Sequence, residues 1–259
     1  MIANLLEGLE GPRNEDSLRN LVISDIHSNL EALEAVLDDA GSVDEIWCLG
    51  DVVGYGPDPN GCIELLESMP HQSIAGNHDW ATVGKLDLDD FNRDARQANL
   101  WNREQLTPRS LAYLNSLSER LIVGEFTLVH GSPRHPIWEY VMDAATAFEN
   151  FAYFAGLFCF VGHTHVPAVF GLDGAQERVA DLMPCLNVPV ELDTGRLIIN
   201  PGSVGQPRDG DPRASYVVLD TGANTVEYYR VPYPIEVTQK KMVELGLPPR
   251  LVTRLQYGW

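Results

Sequence analysis

Five times between Leu21 and His165 a short apolar run ends on a cluster of Asp, Asn or His side chains. Leu21-Val22-Ile23 leads into Asp25-Ile26-His27, and Glu45-Ile46-Trp47-Cys48-Leu49 into Gly50-Asp51. Ser73-Ile74-Ala75 leads into Gly76-Asn77-His78-Asp79, and Glu125 to Val129 into His130-Gly131. Phe158-Cys159-Phe160-Val161 leads into Gly162-His163-Thr164-His165. Apolar runs this short, bounded by Gly and polar residues, read as strands covered on both faces. Helical patterns separate the first three. One runs from Leu30 to Ala40, with Leu33, Val36 and Leu37 inward and Asn29 as its cap; the next runs through Cys62, Leu65 and Leu66, capped by Asn60. Strand–loop–helix units in series predict a largely parallel sheet. Ligands of such sheets bind at the carboxyl ends of the strands, where every one of these clusters falls.

The rest of the chain reads less sharply. Ile2, Leu5, Leu6 and Leu9 could form one face of a short helix in a polar N-terminal extension, residues 1–19. Residues 20–259 are expected to form one domain, with no repeats or low-complexity linker. Phe91 to Ser116 is expected to be a helix pair, with Thr107 capping the second member and Pro108 in its first turn. Leu121 to Val129 reads as a hairpin turning at Gly124, and Asp143 to Phe154 as a helix. Runs at Ala168 to Gly171, Glu191-Leu192, Leu197 to Ile199, Ser215 to Leu219 and Thr225 to Val231 predict a second, mainly antiparallel sheet. Pro234 to Gly246 reads as a C-terminal helix.

Composition excludes some functions. A net charge of −19 lacks the basic footprint that sequence-independent binding of long DNA or RNA needs, and it disfavours an anionic membrane surface. The cysteines, Cys48, Cys62, Cys159 and Cys185, are scattered and form no C-x-x-C pair. With no signal peptide and no apolar run long enough to span a bilayer, the expected location is the reducing cytoplasm.

Gathered together, the strand ends offer Asp25, His27, Asp51, Asn77, His130, His163 and His165. Oxygen and nitrogen donors without thiolates suit Mn, Fe, Ni, Co or Zn, with Mn the leading choice. Seven donors are too many for one ion and fit two if a carboxylate is shared. Asp51 is central in chain order and the natural bridge. Asp25 and His27, one residue apart, would leave an extended strand on the same side, as would His163 and His165.

The order D-x-H, G-D, G-N-H-D, H-G, G-H-x-H resembles the calcineurin-like metallophosphoesterase superfamily. Asn200-Pro201-Gly202-Ser203 through Arg208 resembles the C-terminal signature of its small bacterial and archaeal phosphodiesterase branch. The resemblance implies a four-layer α/β/β/α sandwich of two mixed sheets holding two divalent metal ions. The first ion would take Asp25, His27, Asp51 and His165; the second would take Asp51, Asn77, His130 and His163. His78 would face the substrate as general acid or hydrogen-bond donor, with Asp79 orienting it. The implied reaction is hydrolysis of a small phosphate ester, foremost a phosphodiester, by a water shared between the cations and deprotonated there.

Protein Ser/Thr phosphatases of the superfamily carry G-D-x-V-D-R-G at the second motif, but here Gly54 and Tyr55 occupy the Asp and Arg positions. Asp79 also stands where those enzymes have Glu. Arg134 and Arg208 remain as candidates to hold a phosphate, which the planar guanidinium fork suits. Trp101, Trp138 and Tyr140 are expected to be core aromatics, and His71 an exposed residue before a strand. Two alternatives are a non-catalytic interaction scaffold on the same fold and a hydrolase of nucleotides or dinucleoside polyphosphates. Partners are then a small phosphorylated substrate and, where the chain self-associates, further copies of itself.

Overall fold

In the computed structural model, which describes residues 17–174, 178–193 and 195–259, two six-stranded sheets lie face to face. The amphipathic segment expected around Ile2 to Leu9 lies outside these residues. The first sheet has the order β3 (His71–Ser73), β2 (Glu45–Cys48), β1 (Arg19–Ile23), β11 (Ala214–Asp220), β12 (Thr225–Val231), β9 (Val190–Glu191). The second has the order β4 (Arg120–Val123), β5 (Phe126–Val129), β6 (Phe158–Phe160), β10 (Arg196–Asn200), β7 (Ala168–Asp173), β8 (Arg178–Asp181). Both are mixed. β1 runs parallel to β2 and β2 to β3, while β11 pairs antiparallel with β1. In the second sheet β6 runs parallel to both β5 and β10.

Strand alternation builds the layers. Leu21 and Ile23 of β1 face outward with Ile46 and Cys48 of β2, against Leu33 and Val36 of α1 (Leu30–Ala40) and Ile63 and Leu66 of α2 (Pro59–Glu67). Val22 and Trp47 face the other way, into a dry layer between the sheets with Leu128, Phe160, Leu197 and Ile199. Across the second sheet, Val129, Cys159 and Ile198 pack on Ala147 of α6 (Ala144–Asn150) and on Phe151 and Phe154. This is the α/β/β/α order. A fourth cluster joins α4 (Arg93–Gln105) to α7 (Ile235–Glu244) and α8 (Pro249–Arg254) through Ala95, Ala98, Met242, Leu251 and Leu255. No helix among the described residues is long and apolar enough to cross a membrane.

Several local expectations change. The late strands do not make a sheet of their own: β11, β12 and β9 complete the first sheet, and β10, β7 and β8 the second. Chain order alone carries no signal of that division. Asp58, not Asn60, precedes the second helix, because Pro59 fits the first turn, where its missing N–H leaves no bond unmade. Asn60 instead ties the helix to the loop before α5 (Pro108–Ser116), donating to Gln105 O and accepting from Thr107 N. The third strand begins earlier than expected. His71 lies within it, half-buried, its Nε2 3.2 Å from the Tyr113 hydroxyl. Asn29 and Thr107 cap α1 and α5 as expected.

Candidate metal centre

The clusters sit where the parallel strands stop. β1 is followed by Asp25 and His27, β2 by Asp51, and β5 by His130. β6 is followed by His163 and His165, and α3 (Asn77–Thr82) opens with Asn77 and His78. The two sheets therefore bring these side chains together from both sides. All seven candidate ligands are buried.

Their backbone is not extended. Asp25 (φ 56°), His27 (φ 50°), Asp51 (φ 53°), His163 (φ 66°) and His165 (φ 61°) are left-handed. The one-residue spacing in D-x-H and H-x-H thus works through paired left-handed kinks rather than through strand alternation. Such a conformation costs a non-glycine residue about 1 kcal/mol or more, and Asp, Asn and His tolerate it best. Main-chain bonds between loops hold the kinks: Asp25 N donates to Gly50 O at 3.1 Å and His27 N to Asp51 O at 2.9 Å.

Each donor is aimed by a partner behind it. The Nδ1–H groups of His27, His130 and His165 donate to the carbonyls of Val53 (3.2 Å), Leu49 (2.8 Å) and Gln206 (2.6 Å). That points each Nε2 inward, the orientation a metal ligand needs. Asp25 Oδ2 accepts from His163 N and Asp51 Oδ1 from His78 N, so Asp25 Oδ1 and Asp51 Oδ2 turn inward toward the imidazoles of His165 and His130. The His27 and His165 Nε2 atoms lie 3.2 Å apart, acceptor facing acceptor. His130 Nε2 likewise faces Asn77 Oδ1 and His163 Nδ1, both at 3.1 Å, and Asp51 Oδ2 at 3.4 Å. The neutral His27 and His165 lone pairs repel at 3.2 Å unless a cation lies between them.

The donor atoms fall into overlapping groups. Those of Asp25, His27 and His165 lie within 4.8 Å of one another, as do those of Asp51, His130 and His163. A third group of the same spread joins His27, Asp51 and His78, so Asp51 borders both of the first two. Burial pushes His27, His163 and His165 well below the ordinary imidazole value, which keeps them neutral and able to ligate. Burial also lowers His130, but the adjoining Asp51 carboxylate outweighs it and raises that imidazole to about 9. A cation beside Asp51 would take the place of that proton. These residues fit two divalent ions.

A stability effect follows. Ions that bind the folded chain alone stabilise it by about 2.7 kcal/mol per site at a hundredfold excess over Kd. Adding Mn²⁺ to chelator-treated protein is therefore expected to raise the melting temperature by several degrees. An unchanged melting curve in saturating Mn²⁺ would contradict the site.

His78 is placed apart from the ligands' supports. Its Nδ1 lies 2.8 Å from Asn99 Oδ1, a residue of α4 that sequence reasoning passed over. Asn102, one turn on, accepts from Ser28 Oγ and from Gly54 N, so α4 braces both loops. The available signal was a pair of amides three residues apart on a helix face otherwise lined by Ala95 and Ala98. Asp79 does not meet the His78 ring. Its carboxylate accepts from Gly76 N and Val53 N and stabilises the turn, while burial and Asp51 push it up to about 7. Asn200, at the end of β10, donates to Gly162 O and Thr164 Oγ1, and Ser203 Oγ donates to Asp25 O. The Asn200-to-Arg208 stretch thus buttresses the ligand loops.

The two candidate phosphate-holding arginines separate. Arg208 lines the cleft above the cluster, a space of about 110 Å³ that also touches Asn77, His78 and His163. Arg134 does not line it; its guanidinium pairs with Glu139 and Glu149. Trp138 and Tyr140, expected in the core, are 39% and 46% exposed and stand at the cleft, with the Tyr140 ring stacked 4.1 Å from that of His163. Trp101 packs among the helices of the fourth cluster. A roomier apolar groove of about 430 Å³ opens near Leu18, Trp47 and Phe126, but it holds none of the histidines or aspartates of the clusters.

The model of the Calcineurin-like phosphoesterase superfamily domain matches residues 18–224. An uncharacterised protein of Methanocaldococcus jannaschii is 41% identical over 245 residues, covering 92% of this chain and 97% of its own. A crystal structure of a metallophosphoesterase from Sphaerobacter thermophilus is 53% identical, with a TM-score of 0.87, covering 94% of this chain and all of that one. A symmetrical bis(5'-nucleosyl)-tetraphosphatase of Pseudomonas putida is 29% identical over 116 residues, 36% of this chain and 40% of that protein.

Proposed function

Because the chain belongs to the calcineurin-like phosphoesterase superfamily and is a metal-dependent phosphoesterase, we propose that it hydrolyses small phosphodiesters at a two-metal centre. Asp25, His27, Asp51 and His165 would hold one ion, and Asp51, Asn77, His130 and His163 the other. The observation that carries this reading is the set of buried donor atoms converging at 3.1–3.2 Å, His27 Nε2 on His165 Nε2 and His130 Nε2 on Asn77 Oδ1 and His163 Nδ1, fixed in place by backbone carbonyls behind them. Two such ions supply a nucleophilic water and charge neutralisation for an in-line displacement at phosphorus. Mn²⁺ is the ion we place there first; Fe, Ni, Co and Zn suit the same donors.

The remaining chemistry falls to the chain. Burial lowers the His78 imidazole below its ordinary value, while Asp51 and Asn99 Oδ1, which accepts from Nδ1, offset part of that. Asn99 holds the ring so that Nε2, when protonated, donates to the phosphoryl or leaving oxygen. Arg208, beside the cleft, neutralises a non-bridging oxygen. The phosphoryl group would sit against Asn77 and His78, with Tyr140 and Trp138 walling the organic part. A reducing compartment suits the buried free thiols of Cys48, Cys62 and Cys159, and we place the reaction in the cytoplasm.

The test is turnover of bis(p-nitrophenyl) phosphate by protein loaded with Mn²⁺, beside the same protein after chelation. Activity in the loaded sample alone supports the reading; none in either sample, at full metal occupancy, removes it. Asn99→Ala is expected to lower kcat about 10-fold, within the range for groups that orient catalytic or ligand side chains, with metal content unchanged. Metal analysis and kinetics on one preparation check both halves.

A further inference from the structure

Beside the metal cleft, and sharing Tyr55, Tyr140 and Arg208 with it, lies a second cavity of about 520 Å³. Four arginines line it: Arg93 at the start of α4, Arg208 after β10, and Arg250 and Arg254 one turn apart on α8. Arg208 and Arg254 are half-buried, while Arg93 and Arg250 stand at the rim.

Their pairing is sparse. Among the described residues Arg19, Arg103, Arg120 and Arg196 also lack a carboxylate, but each spends its guanidinium on main-chain carbonyls. Acidic residues outnumber basic ones by 37 to 18, so a carboxylate is easily found. Arg96, Arg109, Arg134, Arg213 and Arg230 each have one. Among the described residues, Arg93, Arg208 and Arg250 form no ion pair. Asp94 also lines the cavity, yet it bonds to none of them. Arg208 donates to Gln206 Oε1 and Tyr55 Oη, and its Nε is buried with no partner at all. Arg254 Nε donates to the main-chain oxygen of Trp259. Burial, and then the neighbouring Arg208, bring Arg254 down to about 10. Like charges crowded at a half-buried wall destabilise the protein unless an anion joins them.

The cavity is also tied to the reacting centre. Arg208 N donates to His165 O at 3.3 Å, its guanidinium lies 5.7 Å from the Tyr55 ring, and that ring lies 4.3 Å from His78. α8, which brings Arg250 and Arg254, lies beyond the residues that match the family model.

We propose that this cavity is a subsite for a second anionic group of the substrate, so that the preferred substrate is a small ester carrying at least one phosphate besides the one hydrolysed. The assignment rests on the phosphoesterase reading for its orientation, since the reacting phosphate occupies the metal cleft and the further phosphate extends past Tyr140 and Arg208 to α8. Planar guanidinium forks suit terminal phosphate oxygens.

The experiment is a binding measurement that needs no turnover. Pyranine, a fluorescent pyrene trisulfonate, presents several anionic groups on one small molecule. Its fluorescence anisotropy with the Mn²⁺-loaded full chain is compared with that of pyrene monosulfonate. The trisulfonate is expected to bind at least about 10-fold tighter, to weaken steeply as salt rises, and to be displaced by inorganic tripolyphosphate at lower concentration than by orthophosphate. Arg250→Gln with Arg254→Gln is expected to lose that advantage, and Arg250→Lys with Arg254→Lys to keep most of it. Arg93→Gln, on another helix, gives an intermediate loss and serves if the α8 variant fails to fold. Equal binding of the two dyes, or an unchanged advantage in the glutamine variants, overturns the subsite. So does a substrate screen in which esters with a single phosphate exceed polyphosphorylated ones in kcat/KM. Absence of all turnover would refute the phosphoesterase reading while leaving the anisotropy result legible.

Discussion

Asp51→Asn is expected to lower phosphodiester turnover by about a thousandfold or more while leaving the fold intact. A thousandfold corresponds to about 4 kcal/mol of lost transition-state stabilisation. Asp51 is buried, and its Oδ2 lies 3.6 Å from His27 Nε2 and 3.4 Å from His130 Nε2. The isosteric amide keeps an oxygen for the His78 N–H and removes only the charge and one inward acceptor. Its NH₂ would then meet the His27 lone pair as a donor. The metal-free variant should therefore stay folded but lose the Asp51–His130 pair, melting somewhat below metal-free wild type at neutral pH, and it should bind fewer than two ions. Elemental analysis, thermal melting and kinetics of the purified variant give the three readings. A variant that keeps both ions and most of its activity would show that Asp51 is not shared between sites.

Gly76→Ala is expected to disable the centre by a different route. A Cβ at this position would lie 2.0 Å from Asp51 Oδ1 and 2.4 Å from Asp51 N. The second contact is with main chain and cannot be relieved by a rotamer. Either the α3 turn or the Asp51 loop must move. Overpacking of this kind costs about 3 kcal/mol, on the order of 6–12 °C in melting temperature for a domain this large. Displacing Asp51 should also release metal, so Mn²⁺ is expected to stabilise the variant far less than it stabilises wild type. Gly41→Ala is the control. Its φ is 64°, so it carries left-handed strain, but a Cβ there meets nothing within 4 Å. A Gly76 variant that melts like the Gly41 variant and binds metal normally would disprove the close approach of the two loops.

Much of the architecture near the site is legible in the chain. Apolar runs such as Leu21 to Ile23 and Phe158 to Val161 announce buried strands, and their endings put Asp25, Asp51, His130 and His163 at one edge. The division of the late strands between two sheets is not legible. Val217 and Leu197 are equally apolar, and nothing local tells the first to pair beside β1 and the second beside β6. The left-handed backbone of the ligands was hidden for a related reason. Asp and His report chemistry by their side chains, while their φ angles depend on loops such as Gly50 to Val52 that arrive from elsewhere. Asn99 is hard to single out because amides on an amphipathic helix are common, and its pairing with Asn102 is a faint signal. Its role arises from where the chain places α4. Arg134 illustrates the converse: an arginine near a motif lies outside the cleft and pairs with Glu139 and Glu149 instead. α8 announced nothing, since its six residues carry too little periodicity to read.

The kinked main chain under Asp25, His27, Asp51, His163 and His165 restricts what drift can do there. β-Branched replacements would be penalised by stereochemistry even in a descendant that had abandoned hydrolysis altogether. Aspartate and histidine can therefore outlive the reaction they once served. For cousins of this protein, an intact set of motif letters is then weaker testimony to turnover than a measured metal content.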